Sequence, residues 1–407
     1  MSASPVEFTP PLRIVFQNNS GRPDNKIFAG FVDCTTFVAT NAANGNSLAM
    51  AAYGSPNWYS LDTLPLGIDV TSVSGRLYFC YDKPWVFNNP GYEPNSGNPS
   101  DPNYLLRFDK IEMTYRGMPT DVADTTSIDY FSIPIALKAW LGGTGGTQVA
   151  SQTASNTTPV AASLSGITTP AGAAVVNDKS EFVRVIGPSS YGSTGSPYDD
   201  FSAYLAYLRD TYGPAHDGMI AAIKGHFVGS QQQATPQTQP QDYDFKATID
   251  ANCNITLTGN GTVVGAHTLV YSRANLAVPS GIYGANPQFS LDGGTPIYPQ
   301  NDLYGWMTGD LLSGINAGAV GSMVTLSHNA TPVGAMPSAD WRNLPKLFDT
   351  LQPLNPYFNR YAGRLSTLSQ AYNFAYTDRF NVAFPNVTVT LDPGRMDTLQ
   401  VVILPDN

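Results

Sequence analysis

A mainly β chain, an antiparallel sandwich or barrel with a mixed α/β domain set into it, is what this sequence predicts. Three observations carry that expectation. Short apolar runs recur between clusters of Gly, Pro and Asn, the pattern of all-β domains. Glycine and proline number 37 and 32 among 407 residues, about one residue in six where about one in eight is ordinary. Strand-like runs stand at both ends of the chain, and helical spacing occurs only between them.

Taken in order, residues 12–16 (LRIVF) read as a strand ended by NNSG at 18–21, and 75–81 (GRLYFCY) as one ended by Pro84. Residues 108–115 and 128–135 flank the turn-rich GMPTD at 117–121. No charged residue occurs from 139 to 177. That stretch reads as an insertion, a long loop with a hairpin, whose Val and Ile content permits some packing. Residues 199–210 place apolar side chains at 201, 204, 205 and 208, the spacing of one helix face. Residues 243–292 return to strand alternation, with Asn260-Gly261 as a hairpin signal. Further helices are expected over 310–319 and 341–351. A terminal hairpin, 386–391 with 398–404, is expected to rejoin the first sheet. The expected domains are therefore residues 1–190 (β, with the insertion at 141–177), 191–380 (mixed α/β) and 381–407 (the hairpin).

Composition excludes several function classes. Only 13% of residues are charged, about half the usual share, and too little Glu and Lys is present for a coiled coil or helical bundle. A hydrophobic content of 42% supports a core and argues against disorder throughout. The net charge of −10 opposes sequence-independent nucleic-acid binding, which rests on neutralising phosphates. No apolar run reaches the ~18 residues of a membrane-spanning helix. Cys34, Cys80 and Cys253 form at most one bridge and match no zinc spacing, so buried neutral thiols are expected. His216, His226, His267 and His328 are scattered, and no metal or other cofactor is expected. The opening MSASPVEFTPP lacks the basic and apolar regions of a leader.

Motifs for nucleotides and acyl transfer are missing. Residues 259–265 (GNGTVVG) are one residue too long for a dinucleotide loop, and 187–192 (GPSSYG) misses a nucleophile elbow. Carboxylates remain. In a strand over 108–115, Ile111, Met113 and Tyr115 face one way, and Lys110, Glu112 and Thr114 the other. A hairpin centred on 120–121 sets Glu112 against about Asp129. Opposed side chains sit ~5 Å apart at Cβ and diagonal ones ~7–8 Å. Glycoside hydrolysis uses two carboxyls at ~5 Å for retention or ~6.5–9.5 Å for inversion. Pairing alone leaves both open, and solvated strand charges without a role are the ordinary alternative. The 22 Tyr and 5 Trp suit sugar-ring stacking.

FDKIEMTY at 108–115, followed by SIDYFSIP at 127–134, resembles the core of glycoside hydrolase family 64, the thaumatin-like, laminaripentaose-producing β-1,3-glucanases. IVFQNNSG at 14–21, SGRLYF at 74–79, NPYFNRY at 355–361 and AYNFAYTDR at 371–379 are similar to the same family. The resemblance implies a thaumatin-like β-sandwich or barrel, a mixed α/β domain and a wide groove between them. It implies inverting, endo-acting hydrolysis of β-1,3-glucan to short laminari-oligosaccharides, with Glu112 as acid and Asp129 as base. Thr114 and Thr126 match substrate-binding threonines of the family, and Arg116 stands where the family tends to carry Asn. Tyr376 and Asp378, in the last stretch, are further candidate substrate contacts. Thr126 and Asp129 are three apart, so a regular strand would point them to opposite faces unless a turn or bulge intervenes. A secreted monomer acting on β-1,3-glucan, with no nucleic-acid or membrane partner, is expected. The alternatives are a non-catalytic glucan-binding protein on the same scaffold and, more weakly supported, a structural β protein.

Overall fold

A computed structural model describes residues 11–52, 57–87, 91–167, 173–191, 196–216, 218–230, 234–327 and 329–407. The opening ten residues, which hold most of the MSASPVEFTPP stretch read above, and His328 lie outside the described residues. The chain begins with β1 (Leu12–Asn18), β2 (Ile27–Asn41), β3 (Tyr59–Ser60), β4 (Ile68–Tyr81), β5 (Phe108–Tyr115) and β6 (Val122–Thr125). After β7 (Tyr130–Phe131), β8 (Ile135–Leu141) and β9 (Thr147–Gln152) come α1 (Thr157–Leu164), β10 (Ala174–Val176) and β11 (Phe182–Ile186). The mixed region starts with α2 (Ser202–Tyr212). It continues through β12 (Met219–Phe227), β13 (Gln241–Ile249), β14 (Ile255–Gly261), β15 (Gly265–Tyr271), α3 (Arg273–Ala277) and β16 (Ser290–Leu291). Next are α4 (Leu303–Ala317), β17 (Thr325–Leu326), β18 (Asn329–Pro332) and α5 (Arg360–Leu365), before β19 (Val389–Thr390) and β20 (Thr398–Ile403) close the chain.

One large sheet runs in the order β19–β6–β5–β4–β1–β20–β8–β9, with β2 and β3 joined through β4. β19 also packs on β8 and β9, so the sheet curls into a nearly closed barrel. Alternate residues such as Ile14, Val70, Leu77, Ile111, Leu137 and Val401 fill its interior and are fully buried. The chain is mainly β, as its turn density predicts. A separate antiparallel sheet, β12 to β16, packs its apolar face on α2 and α4 through Leu205, Leu208, Phe245, Leu257, Leu311 and Ile315.

Several local expectations fail for identifiable reasons. The helix expected at 310–319 starts at Leu303, where the Asp302 side chain accepts from Gly305 N–H at 2.9 Å, and ends at Ala317 before Gly318 in the left-handed region. Almost every residue of α4 is buried, so no one-sided stripe marks it in sequence. Residues 341–351 give only 3₁₀ turns, Ser338–Asn343 and Phe348–Thr350, because Pro345 can neither donate nor fit a helix interior. The two closing segments do not form a hairpin with each other. β19 pairs with β6, while β20 lies between β1, to which it is parallel, and β8. The β14–β15 turn falls at 262–264 rather than at Asn260-Gly261. The uncharged insertion, whose residues 168–172 are not among the described ones, forms regular elements rather than one long loop. β8 and β9 form a glycine-turned hairpin, and α1 packs Val160 and Leu164 against Tyr361 and Leu365 near α5. All three cysteines are free thiols.

Candidate active site

The polar face of β4, β5 and β6 carries the site. Strand alternation sends Ile111, Met113 and Tyr115 into the barrel core and leaves Glu112 and Thr114 half-buried on the other side. On β4, Arg76 lies opposite Glu112, Ser74 opposite Thr114 and Tyr78 opposite Lys110. Arg76 Nε donates to Glu112 at 3.2 Å, and its Nη1 donates to both oxygens of Glu93 at 2.9 and 3.1 Å. Burial opposes the Arg76 charge, yet Tyr78, Glu93, Glu112 and Asp129 together hold it above its ordinary value. Tyr78 hydrogen-bonds Glu93, and burial first, then the Glu93 charge, keeps that phenol protonated well past its usual range.

A bulge in β2 shapes the rim. Pairing of β2 with β4 slips between Val32 and Thr36, and Asp33 adopts φ +55°. Gly75 faces the bulge with φ +158°, where a Cβ would come within 2.6 Å of the Cys34 Cα and Sγ. The extra residues turn Asp33 and Thr35 toward a cavity of about 350 Å³ that Ser74, Arg76, Glu112, Thr114 and Asp124 also line. Asp33 is shared with a neighbouring hollow of about 230 Å³, lined in addition by Phe87, Tyr92 and Glu93.

Asp129 is not the cross-strand partner of Glu112. The hairpin turns at Met118 because Asp121 accepts from the N–H groups of Arg116 and Met118, at 2.6 and 2.8 Å. The register therefore sets Thr114 against Val122 and Glu112 against Asp124. β6 ends at Thr125, and Asp129 is reached through a non-strand segment. Its carboxylate accepts from Lys110 Nζ at 2.8 Å, and Lys110 lies two residues before Glu112 on the same face. Asp109 anchors the chain just beyond Asp129: its Oδ2 accepts from Ser132 and Ile133 N–H at 2.9 and 3.0 Å. Burial pushes Asp109 up to about 6, with the three backbone N–H groups and Lys110 opposing. Since the fold holds that proton more tightly than the unfolded chain does, its contribution to stability falls between about pH 4 and about pH 6.

The remaining sequence candidates separate. Thr114 lines the cavity and shares a 3.3 Å hydrogen bond with Ser74. Thr126 is buried just past β6, where its backbone bridges Tyr372; this resolves the parity conflict with Asp129 and takes Thr126 out of the open cavity. Arg116 is exposed at the hairpin turn beside Asp121 and does not line the cavity. Tyr376 stacks on the Arg379 guanidinium, 4.4 Å from its ring centroid, in the mixed region. Asp378 is exposed and accepts a hydrogen bond from Tyr372; burial, then the charges of Asp378 and Asp124, raise that phenol's pKa.

Sequence reasoning missed Asp124, Arg76, Glu93 and Gln152. Gln152 is fully buried; its side chain accepts from Thr125 N–H at 2.7 Å and donates to Gln370 and Val387 carbonyls, tying the end of β6 to the segments around it. Turn chemistry was the available signal for Asp124. A turn closed by Asp121 makes residue 124, not 129, the partner of Glu112.

The sequence pattern of the β-1,3-glucanase family designated glycoside hydrolase 64 matches residues 11–213. No curated protein matches the sequence. Among solved structures, a laminaripentaose-producing β-1,3-glucanase in complex with laminaritetraose is 17% identical, with a TM-score of 0.60 over 98% of this chain and 99% of that one. A β-1,3-glucanase domain from Clostridium beijerinckii is 13% identical, with a TM-score of 0.57 over 98% of this chain and 100% of that one. At these identities the structural likenesses establish the fold, while the sequence pattern covers the strands that carry Arg76, Glu112 and Asp124 and the segment that carries Asp129. The chain belongs to glycoside hydrolase family 64.

Proposed function

We propose that this chain is an inverting endo-β-1,3-glucanase in which Glu112 protonates the leaving glycosidic oxygen and Asp129 activates the attacking water. One observation carries the reading. Glu112 on β5 and Asp129 on the segment after β6 are each held by a cation of the same sheet, Arg76 for Glu112 and Lys110 for Asp129. Lys110 and Glu112 are one two-residue strand step apart, ~7 Å. The Lys110 ammonium thus keeps the Asp129 carboxylate in the neighbourhood of Glu112 without setting it directly opposite, the kind of arrangement in which an inverting pair holds a water between its carboxyls.

In the reaction, Asp129 takes a proton from water as its oxygen attacks the anomeric carbon. The bond from that carbon to the bridging oxygen breaks, and the oxygen receives the proton of Glu112. Ser74 and Thr114 offer hydroxyls to the sugar, and Phe87 and Tyr92 offer ring faces in the adjoining hollow. Family membership and the laminaritetraose-bound relative support a β-1,3-glucan as substrate. A polymer of this kind lies outside the cell, so the protein is taken to act there, as a monomer.

Incubation with insoluble curdlan tests the reading. Soluble laminari-oligosaccharides are expected. Saturable binding to curdlan with no soluble product would instead identify a non-catalytic glucan-binding protein. Self-assembly in light scattering without glucan affinity would identify a structural protein.

A further inference from the structure

Three carboxyls, Asp33, Glu112 and Asp124, line the cavity with one cation, Arg76, which Glu93 also reaches from the neighbouring hollow. Glu93 and Glu112 both bind Arg76, and Asp33 approaches the same guanidinium at 4.0 Å. Asp124 differs from them. It lies directly across the ladder from Glu112, lines the same cavity, and its side chain has no ion pair or hydrogen bond among the described residues. The charged or titratable groups that face it are Glu112 on β5 and, from the segment around residue 375, Asp378 and Tyr372. Like charges at cross-strand distance do not all ionise together, and the proton settles on the carboxyl with the poorest stabilisation of its charge.

We infer that Asp124 is a positioning residue for the proton of the reaction, sharing one proton with Glu112 across the β5–β6 ladder so that the pair stays singly protonated at neutral pH. This rests on the glucanase reading and deepens it. Burial, the Glu112 charge and the Asp378 charge, in that order, raise the Asp124 carboxyl well above the ordinary range, in keeping with the geometry. During turnover the shared proton passes to the bridging oxygen as that oxygen leaves the anomeric carbon. The pair is left doubly ionised, and Asp129 holds the proton taken from water. Release of that proton to solvent and uptake of one by the pair restore the starting state, with no other reactant needed.

The test is the pH profile of kcat/KM for Asp124→Asn beside the wild type on soluble laminarin. The amide keeps the size of the carboxyl but leaves the proton only one carboxyl to occupy. Activity is expected to persist on the acid side, and the alkaline limb to move about one unit toward lower pH. Asp378→Asn, which removes a charge facing Asp124, is expected to leave Asp124 more readily ionised at a given pH. An alkaline limb that superimposes on the wild type, or an equal loss at every pH, overturns the role. NMR of isotope-labelled aspartate carboxyls in the wild-type protein gives a reading independent of how the variant folds. Asp124 is expected protonated at neutral pH, and an ionised Asp124 overturns the proposal. Absence of any wild-type hydrolysis would instead overturn the glucanase reading itself.

Discussion

Glu112→Gln is expected to lower the release of reducing ends from curdlan by about 10²–10⁴-fold, the range a positioned general acid supplies, while the fold survives. The amide matches the carboxyl in shape and can still accept from Arg76 Nε, so the Arg76–Glu93 contacts remain. What it lacks is a transferable proton. Asp129→Asn should fall by a similar factor, because its amide cannot take a proton from water, although the Lys110 ammonium then faces an uncharged partner. Circular dichroism and melting curves matched to the wild type separate lost chemistry from lost structure. Wild-type turnover by Glu112→Gln would remove Glu112 from the reaction.

The largest expected loss of stability lies away from the chemistry, at Asp310→Ala. Asp310 pairs with Arg379 and accepts from Tyr243 at 2.6 Å and Ser338 at 2.8 Å, with both charged side chains nearly buried. Removing it leaves a guanidinium and two hydroxyls without their acceptor, a change that costs about 3–5 kcal/mol for a broken buried pair. Arg379 ends the stretch that carries Tyr372 and Asp378 to the site, and its Nη1 also donates to the Trp306 carbonyl of α4 at 2.8 Å. Urea unfolding measures the effect. An unchanged midpoint would mean that this network does not hold the stretch in place. Asp310→Asn, which keeps acceptor geometry and loses only charge, should fall between the two.

Residues 108–115 show what sequence makes legible. Their alternation is a property of each residue and its neighbours, so the polar face with Glu112 and Thr114 can be read directly. The partner of Glu112 depends on where the turn closes, and a shift of a few residues there changes the opposing residue altogether. Asp121, which clamps that turn, looks in sequence like one turn former among several. Arg76 and Glu93 are illegible for another reason: their meeting with Glu112 joins a distant strand and a loop, and nothing local encodes it. β20 is legible as a strand, but its neighbours are not those of the expected hairpin. Its residues are buried on both sides as a central strand, and burial of that kind produces an apolar run rather than a pairing signal.

The central claim is that Glu112 works with Asp129 across a water, and the anomeric form of the first product tests it most directly. Proton NMR during early turnover of laminarin should show the α-anomer appearing first, before mutarotation. Appearance of the β-anomer first would contradict the account. It would point instead to the directly opposed pair, Glu112 and Asp124, whose ~5 Å Cβ spacing is that of a retaining site.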